Sequence, residues 1–394
     1  MTYAAPTRRL PHQVGPVVSF AAATATALLA APAIATQLAS QFHLSPSNVG
    51  LYFTVEQAGM CLATVPAIWW LNRIAWRQVA AVAIGLFVLA NVLSTQVSGF
   101  GDLLLLRAVS SLSGGTLMVL SLTLAGRSAD RERLFAFWTL GQLTVGAGLL
   151  YLLPRAFDTF GLPFLYALLA VMMTANITLL WALPATVETL PAPPPSADRK
   201  SLAIAPLVLG VGGVLFYYIG FGGLWPFLAA IAQSGGSTPI EIGTVLAFAG
   251  IVGIAGALLA AAQAHQARRK ALALALGYAV HVIGLLALVH QPTLGRFAVA
   301  ACLLKGASNF TLPFLLGRTA RLDQGGRLMG YTNMAIGGGL AVGPLITGRI
   351  IEGAGGFGAL IALTGAWIVA SALLIASIGL KPQDSLASKR AVKA

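Results

Sequence analysis

Charge is what this sequence has least of. Only 9% of its 394 residues are Asp, Glu, Lys or Arg, where a water-soluble domain carries roughly a quarter. Its 11 acidic residues are too few to cover a water-facing surface, and 57% of the chain is hydrophobic, with a mean hydropathy of +0.84. A bilayer is the solvent that suits this composition. Cysteine is scarce as well. Cys61 and Cys302 are the only two, each inside an apolar run, which excludes a disulfide framework and a cysteine metal site. Both read as small apolar packing residues. Also missing are an HExxH pair, a plausible Ser/His/Asp set and a phosphate-binding glycine loop. The polar segments are too short to hold a catalytic domain, so neither enzymatic activity nor a cofactor is expected. The net charge of +13 would suit nucleic acid if Lys and Arg lay on one face or stripe. They sit instead in short groups between apolar runs, as in the loops of a multi-span membrane protein, and no nucleic-acid partner is expected.

What the chain does have is long apolar runs. A helix crosses hydrocarbon with about 20 mostly apolar residues. Twelve such runs are present, at 14–38, 49–71, 79–97, 102–125, 135–156, 161–183, 203–232, 240–263, 271–290, 296–317, 329–351 and 357–380. These are spans 1 to 12. The first follows Arg8 and Arg9 as a signal peptide would, but it extends to about Leu38, too long for that, and more spans follow. The segment 184–201 (PATVETLPAPPPSADRKS) is the longest polar stretch between spans, and its prolines favour extended structure. The predicted fold is therefore an all-α membrane protein of twelve transmembrane helices in two pseudo-symmetric six-helix bundles. Residues 1–183 form the first bundle, 184–201 a cytoplasmic linker, 202–380 the second bundle and 381–394 a cytoplasmic tail.

Lys and Arg also set the orientation, because they accumulate in cytoplasmic loops. With the N-terminus inside, one side receives Arg73 and Arg77, Arg127, Arg131 and Arg133, Arg199 and Lys200, Arg268 to Lys270, Arg318, Arg321 and Arg327, and the basic tail. The other side receives only Arg155, Arg296 and Arg349, while Arg107 and Lys305 fall within spans. Both termini are expected inside a bacterial-type inner membrane, with the lipid bilayer as the protein's surroundings and a monomer as its state. Cysteines introduced at Ser196 and Ser385 should accordingly be labelled from the cytoplasmic side alone. Labelling of either from outside would overturn the orientation.

The two halves carry traces of a repeat. Ser45-Pro46-x-x-Val49-Gly50, at the start of span 2, matches Thr238-Pro239-x-x-Ile242-Gly243 at the start of span 8, 193 residues on, and Arg77 falls on Lys270 at the same offset. An even number of spans separates the copies, which makes the repeat parallel, about an axis along the membrane normal.

Six spans, a proline-rich linker and six spans resemble the major facilitator superfamily over nearly the whole chain. Ala31-Pro32-Ala33-Ile34 with Leu44-Ser45-Pro46-Ser47-Asn48-Val49-Gly50 is similar to the end of span 1 in the twelve-span drug/proton antiporter branch. Leu103-x-x-x-Arg107-x-x-Ser110-Ser111-x-Ser113-Gly114-Gly115 resembles the span-4 motif of the family, an arginine followed by small residues. Gly339-x-x-x-Gly343-Pro344-x-x-x-Gly348 in span 11 resembles the Gly-Pro motif that family antiporters carry in span 5. Span 5 here has Gly141, Gly146 and Gly148 but no Gly-Pro, and the span 2–3 loop has Asn72 and Ala75 where the family signature has an acid and a glycine. Small residues at four-residue spacing also let helices approach closely in lipid, which is a second explanation of Gly339, Gly343 and Gly348 as packing or gating residues.

A charge at a span centre costs about 2.5–3.5 kcal/mol on insertion scales, so such residues usually face a cavity and a partner. Arg107 in span 4 matches the family's arginine, which the resemblance associates with proton transfer or the substrate cavity; a structural arginine bonded to carbonyls is the alternative. Glu56 in span 2 is the only acid well inside a span and so the candidate proton carrier, unless it sits solvated near the outer end. A carboxyl in a low-dielectric cavity favours its neutral form and a nearby arginine its charged form, which is the balance that proton coupling needs. Lys305 has Ser308 and Asn309 three and four residues on, a polar stripe on span 10 that suits an anion, or else the lysine snorkels to the interface. His281 in span 9 is a weaker candidate, more often a packed residue. Span 7 is interrupted by Gly210, Gly212, Gly213, Gly220, Gly222 and Gly223, and discontinuous helices often line binding sites. Its Tyr217, Phe221 and Trp225 share one helix face, turned either to substrate or to lipid and the interfacial belt.

These features predict a secondary active transporter working by alternating access, proton-coupled, for a small amphipathic or carboxylate-bearing organic solute. The alternative is a multidrug/proton antiporter exporting lipophilic or cationic compounds. That activity would need an excess of acids in the cavity, and only Glu56 is available.

Overall fold

The protein is described by a computed structural model, which covers residues 10–128, 130–185, 204–263, 270–320 and 327–378. Apart from Pro184 and Ala185, the linker expected at 184–201 lies outside the described residues, as does the tail from 381. The described residues are helical with no strand.

Twelve spans are traced among the described residues. Eight helices are long and apolar enough to cross a membrane. One of them, Arg131–Ala175, holds spans 5 and 6, which turn at Gly161 in the left-handed region (φ 61°). There the Gln41 side chain accepts the Leu162 N–H at 2.9 Å and so caps the start of span 6. Span 6 ends in a tighter 3-10 turn, Asn176–Ala182. Spans 1, 2 and 9 are shorter or broken. Span 1 runs as Leu10–Thr24, Thr26–Leu29 and Ala31–Gln41, span 2 as Pro46–Leu62 and Thr64–Trp70, and span 9 as Lys270–Leu286. Pro32 and Pro66 account for the breaks at Ala30 and Ala63, since each lacks the N–H that would close the preceding turn.

Span 7 departs from expectation. It is one continuous helix, Ile204–Ser234, with no break at its glycines. The glycines serve close packing instead. A Cβ on Gly213 would meet Ile375, one on Gly220 would meet Trp367, and one on Gly223 would run into Thr347 and the Gly343 backbone. Glycine in lipid thus lets spans 11 and 12 approach the backbone of span 7, and neighbouring helices make up for what glycine lacks in propensity. Gly339 and Gly343 face the same contact from span 11, against Tyr218 and Ile219.

Both halves use the same pairings. Span 2 packs on span 4 as span 8 packs on span 10, and span 3 on span 4 as span 9 on span 10. Span 1 lies on the helix carrying spans 5 and 6 as span 7 lies on spans 11 and 12. Large apolar side chains on the outer faces, such as Ile68, Leu105 and Leu258, are exposed, which only a lipid surround would tolerate at this density. In the span 2–3 loop, Arg77 donates to the carbonyls of Leu180, Trp181 and Leu183 at 3.1–3.2 Å and stacks on Trp181, closing the open C-terminus of span 6.

The halves meet chiefly through spans 2 and 11, 5 and 8, and 1 and 7. Along spans 2 and 11 the contacts descend from Ser47 and Glu352, through Gly50 and Pro344, to Thr54, whose hydroxyl donates to the Ala341 carbonyl at 2.7 Å. Spans 5 and 8 meet at Arg155 and Thr244 (3.1 Å) and at Gly243, which lies against Leu150 and Pro154. All of these lie toward the end where span 2 begins and span 11 finishes. With the orientation expected from the loop charges, that end faces outside, and there the two halves touch.

Candidate functional site

Spans 2, 3, 4 and 6 enclose a buried polar cluster in the N-terminal half. Arg107 on span 4 is 1% exposed and Glu56 on span 2 is 5% exposed, so neither reaches bulk solvent. Their nearest approach is 3.6 Å, Arg107 Nη1 to Glu56 Oε1, an ion pair without a hydrogen bond at that oxygen. Glu56 is therefore not a solvated residue near the span end. The guanidinium is held from the other side: Nη1 donates to Asn91 Oδ1 at 3.1 Å and Nη2 to Ser94 Oγ at 2.8 Å. Asn91 is itself oriented, donating to Ser110 Oγ at 2.9 Å and to the Phe87 carbonyl at 2.8 Å. Tyr166 of span 6 places its ring 4.5 Å from the guanidinium carbon and its hydroxyl 3.4 Å from that of Tyr52.

Glu56 and Arg107 border a small cavity, lined also by Thr24, Ala27, Tyr52, Ser110 and Ser111, with room for about one water molecule. Two of its polar atoms, Glu56 Oε1 and Arg107 Nε, are buried and without a hydrogen-bond partner. Such atoms are costly unless something fills the space between them. Gly114 and Gly115 of the span-4 motif permit the packing. A side chain on Gly115 would clash with Met60 and Ala63, and one on Gly114 would press on Phe87.

The C-terminal half holds a second cluster. Tyr217, Phe221 and Trp225 form a ladder along span 7, with near-parallel rings 6.5 and 6.0 Å apart. Tyr217 and Trp225 are buried, not turned to lipid. The ammonium of Lys305, on span 10, lies 4.2 Å from the Trp225 ring centre and 6.0 Å from that of Phe221, so the lysine reaches the aromatic face rather than an interface. No carboxylate pairs with Lys305 among the described residues. Ser308 spends its hydroxyl on the Lys305 carbonyl at 2.9 Å, while Asn309 Nδ2 is buried against Gly253 without a partner. His281 is buried and fully engaged, with Nε2 3.1 Å from the Tyr217 hydroxyl and Nδ1 2.9 Å from the Gly277 carbonyl. It packs beside the ladder and has no ring nitrogen to spare.

One hydrogen bond links the two clusters. Pro32 cannot donate to the Leu28 carbonyl four residues back, and that oxygen accepts the Trp225 indole N–H at 2.8 Å. Leu28 is next to Ala27, which lines the Glu56–Arg107 cavity. The ladder is thus joined to span 1 at the break that proline makes.

Sequence reasoning selected Glu56 and Arg107 by the cost of their charge, and the fold brings them together. It missed Asn91, Ser94, Tyr52 and Tyr166. The signal was present in Asn91 and Ser94, a polar pair three residues apart in an otherwise apolar span. Of the span-11 group, Gly339 and Gly343 pack within the C-terminal half, whereas Gly348 meets the Pro46 carbonyl, and Pro344 meets Gly50, across the halves.

The family model of the Major Facilitator Superfamily matches residues 17–212. No curated protein matches the sequence. Among solved structures, the fold is similar to the crystal structure of a D-xylose-proton symporter, with a TM-score of 0.72 at 14% identity over 93% of this chain and 96% of that one. It is likewise similar to the inward open conformation of the xylose transporter XylE from E. coli, with a TM-score of 0.74 at 14% identity over 95% and 96% of the two chains. A sequence match through the first half and a shared fold through both, around a span-4 arginine paired with a buried acid, lead to one conclusion: the chain belongs to the major facilitator superfamily.

Proposed function

We propose that this protein is a proton-coupled secondary transporter that moves a small amphipathic organic solute bearing a carboxylate, by alternating access across the inner membrane. The observation that carries the coupling is the buried Glu56–Arg107 pair, 3.6 Å apart beside a water-sized cavity. A carboxyl so placed can exchange a proton with a single water while its arginine stays anchored to Asn91 and Ser94. The likeness to a D-xylose-proton symporter supports coupling to protons and says nothing of this chain's solute. For the solute, the support is Lys305. An unpaired ammonium against an aromatic ladder suits an aromatic or amphipathic compound with a negative end. Export of cationic drugs is disfavoured by the same charge.

A thermal-shift screen of the purified protein against carboxylates, aromatic acids and cationic drugs tests this, because a ligand stabilises the state it binds. Acids should stabilise and cations should not. In Lys305→Ala the stabilising acid should bind roughly tenfold to a hundredfold more weakly, the loss of one charged hydrogen bond of about 1.5–3 kcal/mol. Unchanged binding would exclude Lys305 from the substrate site.

A further inference from the structure

Spans 2 and 8 begin with matching residues but are capped in different ways. In span 8, Thr238 is the cap and Glu241 completes a box within the same helix. The Glu241 carboxylate accepts the Thr238 N–H at 2.9 Å and its hydroxyl at 2.8 Å, and Thr238 Oγ1 accepts the Glu241 N–H at 3.3 Å. In span 2 the cap is Ser45, whose hydroxyl accepts the Asn48 N–H at 3.5 Å. Asn48 stands where the repeat has Glu241, so span 2 has no acid of its own at this turn. The carboxylate comes from the other half of the molecule. Glu352, in the last turn of span 11, accepts the Ser47 N–H at 3.3 Å. Directly beneath, Gly348 lies against the Pro46 carbonyl and Gly50 against that of Pro344, contacts that hold only while the two spans touch.

We propose that Glu352 is an outer latch: it supplies in trans the anionic cap that span 2 lacks, and so stabilises the outward-closed state. An acid at a helix N-terminus is favourable because it meets the unpaired N–H groups there. Span 8 keeps its acid in every state, since donor and acceptor share one helix. Span 2 loses its acid whenever spans 2 and 11 part. The latch therefore biases the cycle toward the closed outer end, and the repeat shows what an unlatched copy looks like. The proposal rests on the alternating-access function above.

The test uses the full chain with Cys61 and Cys302 replaced by Ala, and spin labels at Ser40 and Ser234, exposed positions at the outer end of the two halves. Distances between them report the ratio of outer-open to outer-closed molecules. Glu352→Gln should raise that ratio roughly two- to fivefold, the scale of one exposed cap. Asn48→Glu supplies span 2 with the box that span 8 has. In that background Glu352→Gln should no longer open the outer end. Asn48 and Glu352 are both exposed, so neither change disturbs the core. Two distance populations whose ratio ignores Glu352, or responds equally in both backgrounds, would overturn the latch alone. One unchanging distance in every variant would overturn the latch and alternating access together.

Discussion

Glu56→Gln should leave a transporter that binds and exchanges its solute but cannot concentrate it. The substitution keeps the size of the side chain and its capacity to accept a hydrogen bond, and it removes the exchangeable proton. Glu56 is the only acid deep in the described spans, and its single charged partner is Arg107. No second carboxyl in the site stands ready to replace it. Counterflow in proteoliposomes, which needs no gradient, should remain within a few-fold of the parent. Accumulation driven by an imposed proton gradient should fall to the level of unenergised vesicles, and solute binding should lose its dependence on pH. A Glu56→Gln protein that still concentrates solute against its gradient would take Glu56 out of the mechanism. His281 is a poor substitute, because both ring nitrogens are already engaged by Tyr217 and the Gly277 carbonyl.

Arg107→Ala should abolish transport while leaving membrane insertion intact, since removing a buried charge lowers the cost of insertion by about 2.5–3.5 kcal/mol. Stability should respond differently. Losing one partner of a buried pair leaves Glu56 beside an emptied site, and breaking such pairs costs about 3–5 kcal/mol. The double variant Arg107→Ala/Glu56→Gln removes both charges, so its melting temperature should recover toward the parent while transport stays absent. Recovery of transport in the double variant would make the pair a structural device. Arg107→Lys should rescue only in part. The guanidinium meets Asn91 and Ser94 with separate nitrogens, approaches Glu56, and lies over the Tyr166 ring at 4.5 Å from its centre. An ammonium is a point charge and reproduces at most some of this.

The residues around Arg107 show where sequence reasoning stopped. The cost of a charge in hydrocarbon belongs to a single residue, so Glu56, Arg107 and Lys305 stood out from the chain alone. Asn91, Ser94 and Tyr166 carry no such cost. What makes them part of the site is the rotation of spans 3 and 6 about their axes, which helix packing sets. Span 7 gave the opposite error. Its glycines read as breaks because glycine weakens an isolated helix, yet here it runs unbroken, since spans 11 and 12 fill the space that the missing side chains leave. The breaks at Ala30 in span 1 and Ala63 in span 2 come from Pro32 and Pro66, where a hydrogen-bond donor is missing from the backbone itself.

The bilayer solvent, the number of spans and the two-half architecture were all decided by the sequence, because each depends on quantities that add up along the chain: apolar length against hydrocarbon thickness, and basic residues per loop. The partners of each buried charge were decided by packing alone. Glu56 and Arg107 sit on different helices, Trp225 reaches an oxygen freed by a proline far earlier in the chain, and Glu352 caps span 2 through Ser47, 305 residues before it. Contacts of that kind exist only once separate helices are packed in register, and no local pattern of residues encodes the register.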